Sequence, residues 1–172
     1  MTATSTLPEP RDPQDIRRAR DKRRVGLALL ALFVLAGAFG LYGTRTGEAS
    51  AASGGYVVTV TYPKVSRPGH AVRYEVRVKR AGGFDGPIHM RFSSAYFDLF
   101  DENSFGPDPE SSTATGGYDL YEFSPPPGDE FIVSSDTRVE PARQRGEKGE
   151  VSVLDESGTP IVTVRYRTRI FP

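Results

Sequence analysis

The chain has 172 residues, with 22 basic and 22 acidic side chains, 18 Gly, 14 Pro and neither Cys nor Trp. The missing cysteine excludes disulfides, thiolate metal centres and a cysteine nucleophile, and the length suits one ordinary domain plus short appendages. Charge is uneven: residues 1–24 hold seven basic and four acidic side chains, so the rest stands at 15 minus 18, or −3, too little positive field to hold a nucleic-acid backbone.

Residues 1–24 form a basic, Pro-interrupted polar tail, expected to be cytoplasmic. Residues 25–43 read VGLALLALFVLAGAFGLYG, without a charge. At 1.5 Å per residue such a run is just long enough for a hydrocarbon core of about 30 Å. It predicts one transmembrane helix that Arg17 to Arg24 extends by two turns, with Tyr42 as an interfacial anchor. The basic cluster before Val25 places the N-terminus in the cytoplasm and everything after residue 43 outside. That makes the chain a single-pass cell-membrane protein, with the lipid bilayer as its first partner. Ala49-Ser50-Ala51 resembles a signal-peptide cleavage site, but signal h-regions run only about 7–15 residues, so an uncleaved signal-anchor is expected.

Residues 44–55 (TRTGEASAASGG) are small, polar and Gly-rich, and read as a flexible linker. From residue 56 to 172 the period is two. Tyr56 to Tyr62 is a β-branched and aromatic run stopped by Pro63. Val72, Tyr74, Val76 and Val78 alternate with Arg73, Glu75, Arg77 and Lys79, the pattern of a half-buried strand. Ile88, Met90 and Phe92 alternate likewise. Tyr118 to Phe123, Phe131 to about Val139, Glu150 to Leu154 and Ile161 to Ile170 complete the set, the last two joined by Asp155-Glu156-Ser157-Gly158, a loop suited to a hairpin.

About seven short strands with regular turn signals and no evident helix after residue 44 predict an all-β fold, an antiparallel β-sandwich. The pattern from Tyr56 to Pro172 resembles the bacterial immunoglobulin-like or fibronectin-like domains of cell-envelope proteins. The Cys and Trp that mark antibody domains are missing.

Two features stand out as candidate binding surfaces. The excursion 94–117 concentrates Tyr96, Phe97, Phe100 and Phe105 among acidic side chains; it is either a docking surface for a partner or a plug for one end of the sandwich. Arg165, Arg167 and Arg169 recur at period two, and Arg73, Arg77 and Lys79 do the same on an earlier strand. Were the two strands in one sheet, its outer face would be basic and suited to an anionic partner; otherwise these are solvated edge and face positions.

Catalytic equipment is thin. The two histidines, His70 and His89, follow a turn and occupy a polar strand phase, and no nucleophile elbow, zinc-protease motif or phosphate loop occurs. Carboxylates in 94–117 lack the Asp-x-Asp-x-Asp-Gly register that makes oxygens converge on calcium, so neither metal nor cofactor is expected. The expected function is therefore a non-catalytic, membrane-anchored accessory module that binds another membrane or envelope protein. The competing reading is a sensor of an envelope polymer or small ligand, which calls for an aromatic pocket of Tyr96, Tyr118 and Tyr121.

Overall fold

A computed structural model describes residues 13–39, 43–101 and 104–171. The chain divides into two compact units, Met1–Gly43 and Thr44–Pro172.

The first unit is one helix, α1 (Pro13–Ala38). Its apolar side chains from Val25 to Leu35 are more than half exposed. Among the described residues no helix is long and apolar enough to cross a membrane. The first half of α1 carries the charges of Arg17 to Arg24, and the uncharged part from Val25 to Ala38 measures only about 21 Å, against about 30 Å of hydrocarbon. This overturns the expected single-pass cell-membrane location with a cytoplasmic N-terminus. Tyr42, the expected interfacial anchor, lies outside the described residues.

The described residues of the second unit form a β-sandwich of ten strands rather than about seven. One sheet runs β1 (Arg45–Ser53), β2 (Tyr56–Ser66), β3 (Ala71–Arg80), β7 (Glu130–Arg138), all antiparallel, with β10 (Arg169–Ile170) parallel to the end of β2. The other runs β5 (Ser111–Thr115), β6 (Tyr118–Phe123), β4 (Ile88–Ser93), β8 (Lys148–Leu154), β9 (Pro160–Arg167), antiparallel throughout. Alternation does what it predicts: Tyr74, Val76 and Val78 of β3 meet Ile88, Met90 and Phe92 of β4 in one core that both sheets line. Each such side chain contributes about 1.5–3 kcal/mol by leaving water.

The segment expected to be a linker is mostly β1. Gly47, Ala49 and Ala51 face inward at half burial, and the strand pairs with β2 from Arg45↔Val65 to Ser53↔Tyr56. Backbone pairing needs no large side chain, and small ones let this edge lie close to β9: a Cβ on Gly54 would fall 2.4 Å from Ile161. Ala49-Ser50-Ala51 is therefore the middle of a strand. β2 continues through Pro63, which pairs with Thr46 beside a register shift and beyond the last β3 partner, Thr61↔Glu75, where its missing N–H breaks no ladder to β3.

The run expected as one strand from Ile161 to Ile170 changes sheets at Thr168. β9 belongs to one sheet and β10 to the other, and Thr168 between them is fully buried, its N–H donated to Glu147 O at 3.0 Å.

Candidate functional site

The 94–117 excursion begins with a four-residue helix, α2 (Ser94–Phe97), which turns its aromatics inward. Tyr96, Phe97, Phe100 and Phe105 are all at most 8 % exposed. Phe97 meets the Tyr74 ring edge-on at 5.3 Å, and Phe105 sits 5.2 Å from Phe92 and 5.1 Å from Tyr121. These four side chains plug the sandwich and offer no surface to a partner. Tyr96 bonds Thr168 Oγ1 at 2.8 Å, and the Tyr74 and Tyr166 hydroxyls meet at 2.6 Å. Burial pushes the pKa of all three hydroxyls up.

Beyond α2 the excursion also covers an edge. Gly106 exchanges hydrogen bonds of 2.8 and 2.9 Å with Ser134 of β7, and the Asp101 N–H donates to Arg138 O at 2.9 Å. The Gly106–Pro107 peptide is cis.

The arginines do not form one basic face. β3 and β9 lie in different sheets, and Arg169 falls on β10, apart from Arg165 and Arg167 on β9. The basic side chains of β3 are threaded with carboxylates instead. Arg73 pairs with Glu75 at 2.9 Å, Glu75 with Arg77 at 3.0 Å, Arg77 with Glu130 at 2.8 Å and Glu130 with Lys79 at 3.3 Å. Hydrogen bonds from Arg77 and Lys79 hold the Glu130 carboxyl below its usual range. On the other sheet Glu150 takes Arg165 at 2.8 Å and Arg91 at 3.1 Å, and Arg91 lies 4.2 Å above the Tyr118 ring.

The four outer strands differ in how they protect themselves. An open strand edge invites pairing, and charges, prolines, bulges or a covering loop discourage it. β1 carries Arg45 and Glu48 and a register shift; β9 starts at Pro160 and carries Arg165 and Arg167; β7 has its covering loop. β5 has none of these within Ser111–Thr115, although just ahead of it the Glu110 N–H donates to Glu122 O at 2.8 Å, one residue out of register. Its sequence is Ser-Ser-Thr-Ala-Thr, every residue is exposed and its pairing with β6 shows no shift. Gly116 and Gly117, at φ +60° and +82°, form the two-residue turn to β6, a conformation that side-chain-bearing residues rarely adopt. Alternate residues of an antiparallel strand turn their N–H and C=O to opposite sides. With Thr115 and Tyr118 closing the turn, Ser111, Thr113 and Thr115 bond β6, and Ser112 and Ala114 point outward.

This edge escaped the sequence reading because β5 lacks a large apolar residue. The Gly116-Gly117 pair before Tyr118–Phe123, with a Ser/Thr run ahead of it, is the signal that marks it.

Among the described residues the histidines and carboxylates gather into no candidate metal cluster. His70 is exposed and His89 half-buried on different elements, and among the described residues no three His, Cys, Asp or Glu side chains could hold a metal ion. A hollow of about 650 Å³, open to solvent, is lined by Arg73, Asp101, Asp136, Thr137 and Arg138 with Ala71 and Val72. The tyrosines expected to frame a ligand pocket are apart: Tyr96 is fully buried, Tyr121 packs against the core, and Tyr118 lies on the outer face under Arg91.

The fold of residues 44–171 thus defines a two-sheet antiparallel β-sandwich. No protein-family model matches the chain, and no curated protein matches it. Among solved structures it is similar to a non-cellulosomal cohesin from the hyperthermophilic archaeon Archaeoglobus fulgidus, at 12% identity, covering 63% of this chain and 86% of that one, with a TM-score of 0.35. A likeness at that score carries no functional argument.

Proposed function

We propose that the chain is a non-catalytic binding module whose partner is another protein, taken up by strand addition along β5. The β5 edge carries this reading: five exposed, uncharged residues in regular register, with the backbone groups of Ser112 and Ala114 facing away from β6. Strand addition draws affinity from main-chain hydrogen bonds and needs no deep pocket. The ion-paired face of the other sheet supports the same choice, since its charges are already matched. A polymer-sensing role has no comparable support, because the three tyrosines it needs face different surroundings.

A photo-crosslinking residue in place of Thr113 tests the reading in the cells that make the protein, with the same residue in place of Arg73 as control. One dominant adduct with another protein, formed from Thr113 alone, is expected. Equal adducts from both positions, or none from either in a folded chain, would overturn it.

A further inference from the structure

We infer that the segment taken up by β5 is an extended polypeptide rich in Lys and Arg. This assignment rests on the strand-addition reading of β5 and adds the chemistry of the occupant. Between Arg91 and Arg138 the chain contains no Lys, Arg or His and ten Asp or Glu. The charge balance of the whole sequence hides this stretch, which contains β5 and β6 entire.

Four of those carboxylates surround the edge. Asp108 and Glu110 are exposed just ahead of β5, Glu122 stands opposite Ser111 on β6, and Asp119 stands opposite Ala114. Glu110 accepts a hydrogen bond from Ser124 and Glu122 one from Ser111 at 3.2 Å, but none of the four makes an ion pair among the described residues. The nearest cation on the sheet, Arg91, is committed to Glu150 and the Tyr118 ring.

Geometry lets an added strand reach them. Neighbouring strands lie about 4.8 Å apart, so the incoming backbone would run about 10 Å from β6. Lys and Arg side chains span most of that distance, and the Ser, Thr and Ala of β5 are too short to stand in the way. Asp119 and Glu122 lie at positions of opposite parity, so each face of the incoming strand finds one carboxylate. Charge also selects against the simplest rival, a second copy of the chain, which would bring a second acidic edge against the first.

The test uses the full chain and fluorescent octapeptides that alternate Lys with Thr, Ser with Thr, or Glu with Thr, titrated by anisotropy. The Lys–Thr peptide is expected to bind at least tenfold more tightly than the Ser–Thr peptide, and the preference to shrink at about 0.5 M salt. Ala114→Pro, which removes an outward N–H and leaves every charge, should abolish binding; Asp119→Asn with Glu122→Gln should erase only the preference. Hydrogen exchange supplies a readout in the unaltered chain, with protection of the Ser112 and Ala114 amides expected on binding. Equal binding of the Lys–Thr and Ser–Thr peptides would overturn the inference and leave strand addition standing. Lys–Thr binding that persists in a folded Ala114→Pro chain, without amide protection, would assign it to the acidic surface and overturn the edge site. Binding of no peptide would overturn both readings, and self-association lost in Ala114→Pro would make a second copy the occupant.

Discussion

Tyr166 packs among three other tyrosines in the core. Its ring lies 5.0 Å from Tyr62, 5.9 Å from Tyr74 and 4.9 Å from Tyr96, and its hydroxyl has the Tyr74 hydroxyl as partner. Removing one hydroxyl strands the other in a dry place, so Tyr74→Phe should lower unfolding free energy by about 1–3 kcal/mol in urea titrations. Gly149 on β8 leaves the space that this ring fills: a Cβ there would come 2.2 Å from Tyr166 Cε2. Gly149→Ala should destabilise by roughly 1–3 kcal/mol through overpacking, measured the same way. The buried hydroxyls also set an alkaline limit. Their folded pKa values lie above the ordinary 10.0, so the unfolded chain releases these protons first as pH rises. Their stabilisation is complete below about pH 10 and is lost as pH climbs from there toward the folded values. Thermal midpoints recorded across that range should fall, and less steeply in Tyr74→Phe.

At the scale of elements, the excursion behaves as part of the core and its cover. Phe105→Ala removes a ring wedged against Phe92, Phe97 and Tyr121 and should cost about 3–5 kcal/mol, a loss that denaturant titration will register. A smaller effect, near that of a surface change, would mean that the plug does not contribute to folding. The elements that the sequence made legible were those with a large residue at every second position. Val72 to Val78 and Ile88 to Phe92 declared both strand and face, and the Tyr118–Phe123 strand was bounded correctly. β1 and β5 were hidden because Gly, Ala, Ser and Thr carry almost no burial contrast, though their backbones pair as well as any. The sheet change at Thr168 was invisible for the opposite reason: alternation runs on from Val162 to Ile170 without a break. The aromatics of the excursion were visible as a cluster, but their direction was not, since composition alone does not say which way a loop turns its rings. The arginine stripe misled because period two fixes a face and says nothing about which sheet owns it.

At the scale of the whole molecule, charge is arranged by region. The β3 face is an alternating ladder of ion pairs, whereas the carboxylates at the β5–β6 end make no ion pair among the described residues. Glu130 ties β7 into the ladder, and its folded pKa is depressed by Arg77 and Lys79. Its contribution is therefore present above the unfolded carboxylate pKa and is lost as pH falls through the folded one. Glu130→Gln should lower the thermal midpoint near neutrality and flatten its acid-side decline below about pH 5; an unchanged slope would remove Glu130 from the account. The apolar half of α1 belongs to the other unit, and its large side chains are exposed.

The crossing at Thr168 fixes an order of events in synthesis. Ile170 pairs with Ser66 on β2, the Phe171 N–H donates to Ser66 O at 3.0 Å, and Thr168 ties Tyr96 from within. A nascent chain can build hairpins as they emerge, but the Tyr96–Thr168 join spans 72 residues and the joins to Ser66 about a hundred, and such late contacts slow folding. Until the ribosome has released residue 170, the two sheets lack their stitch, and β5 is not the only edge on offer. A chaperone or a neighbouring nascent chain meets the protein first in that unstitched state, where exposure to mispairing is greatest.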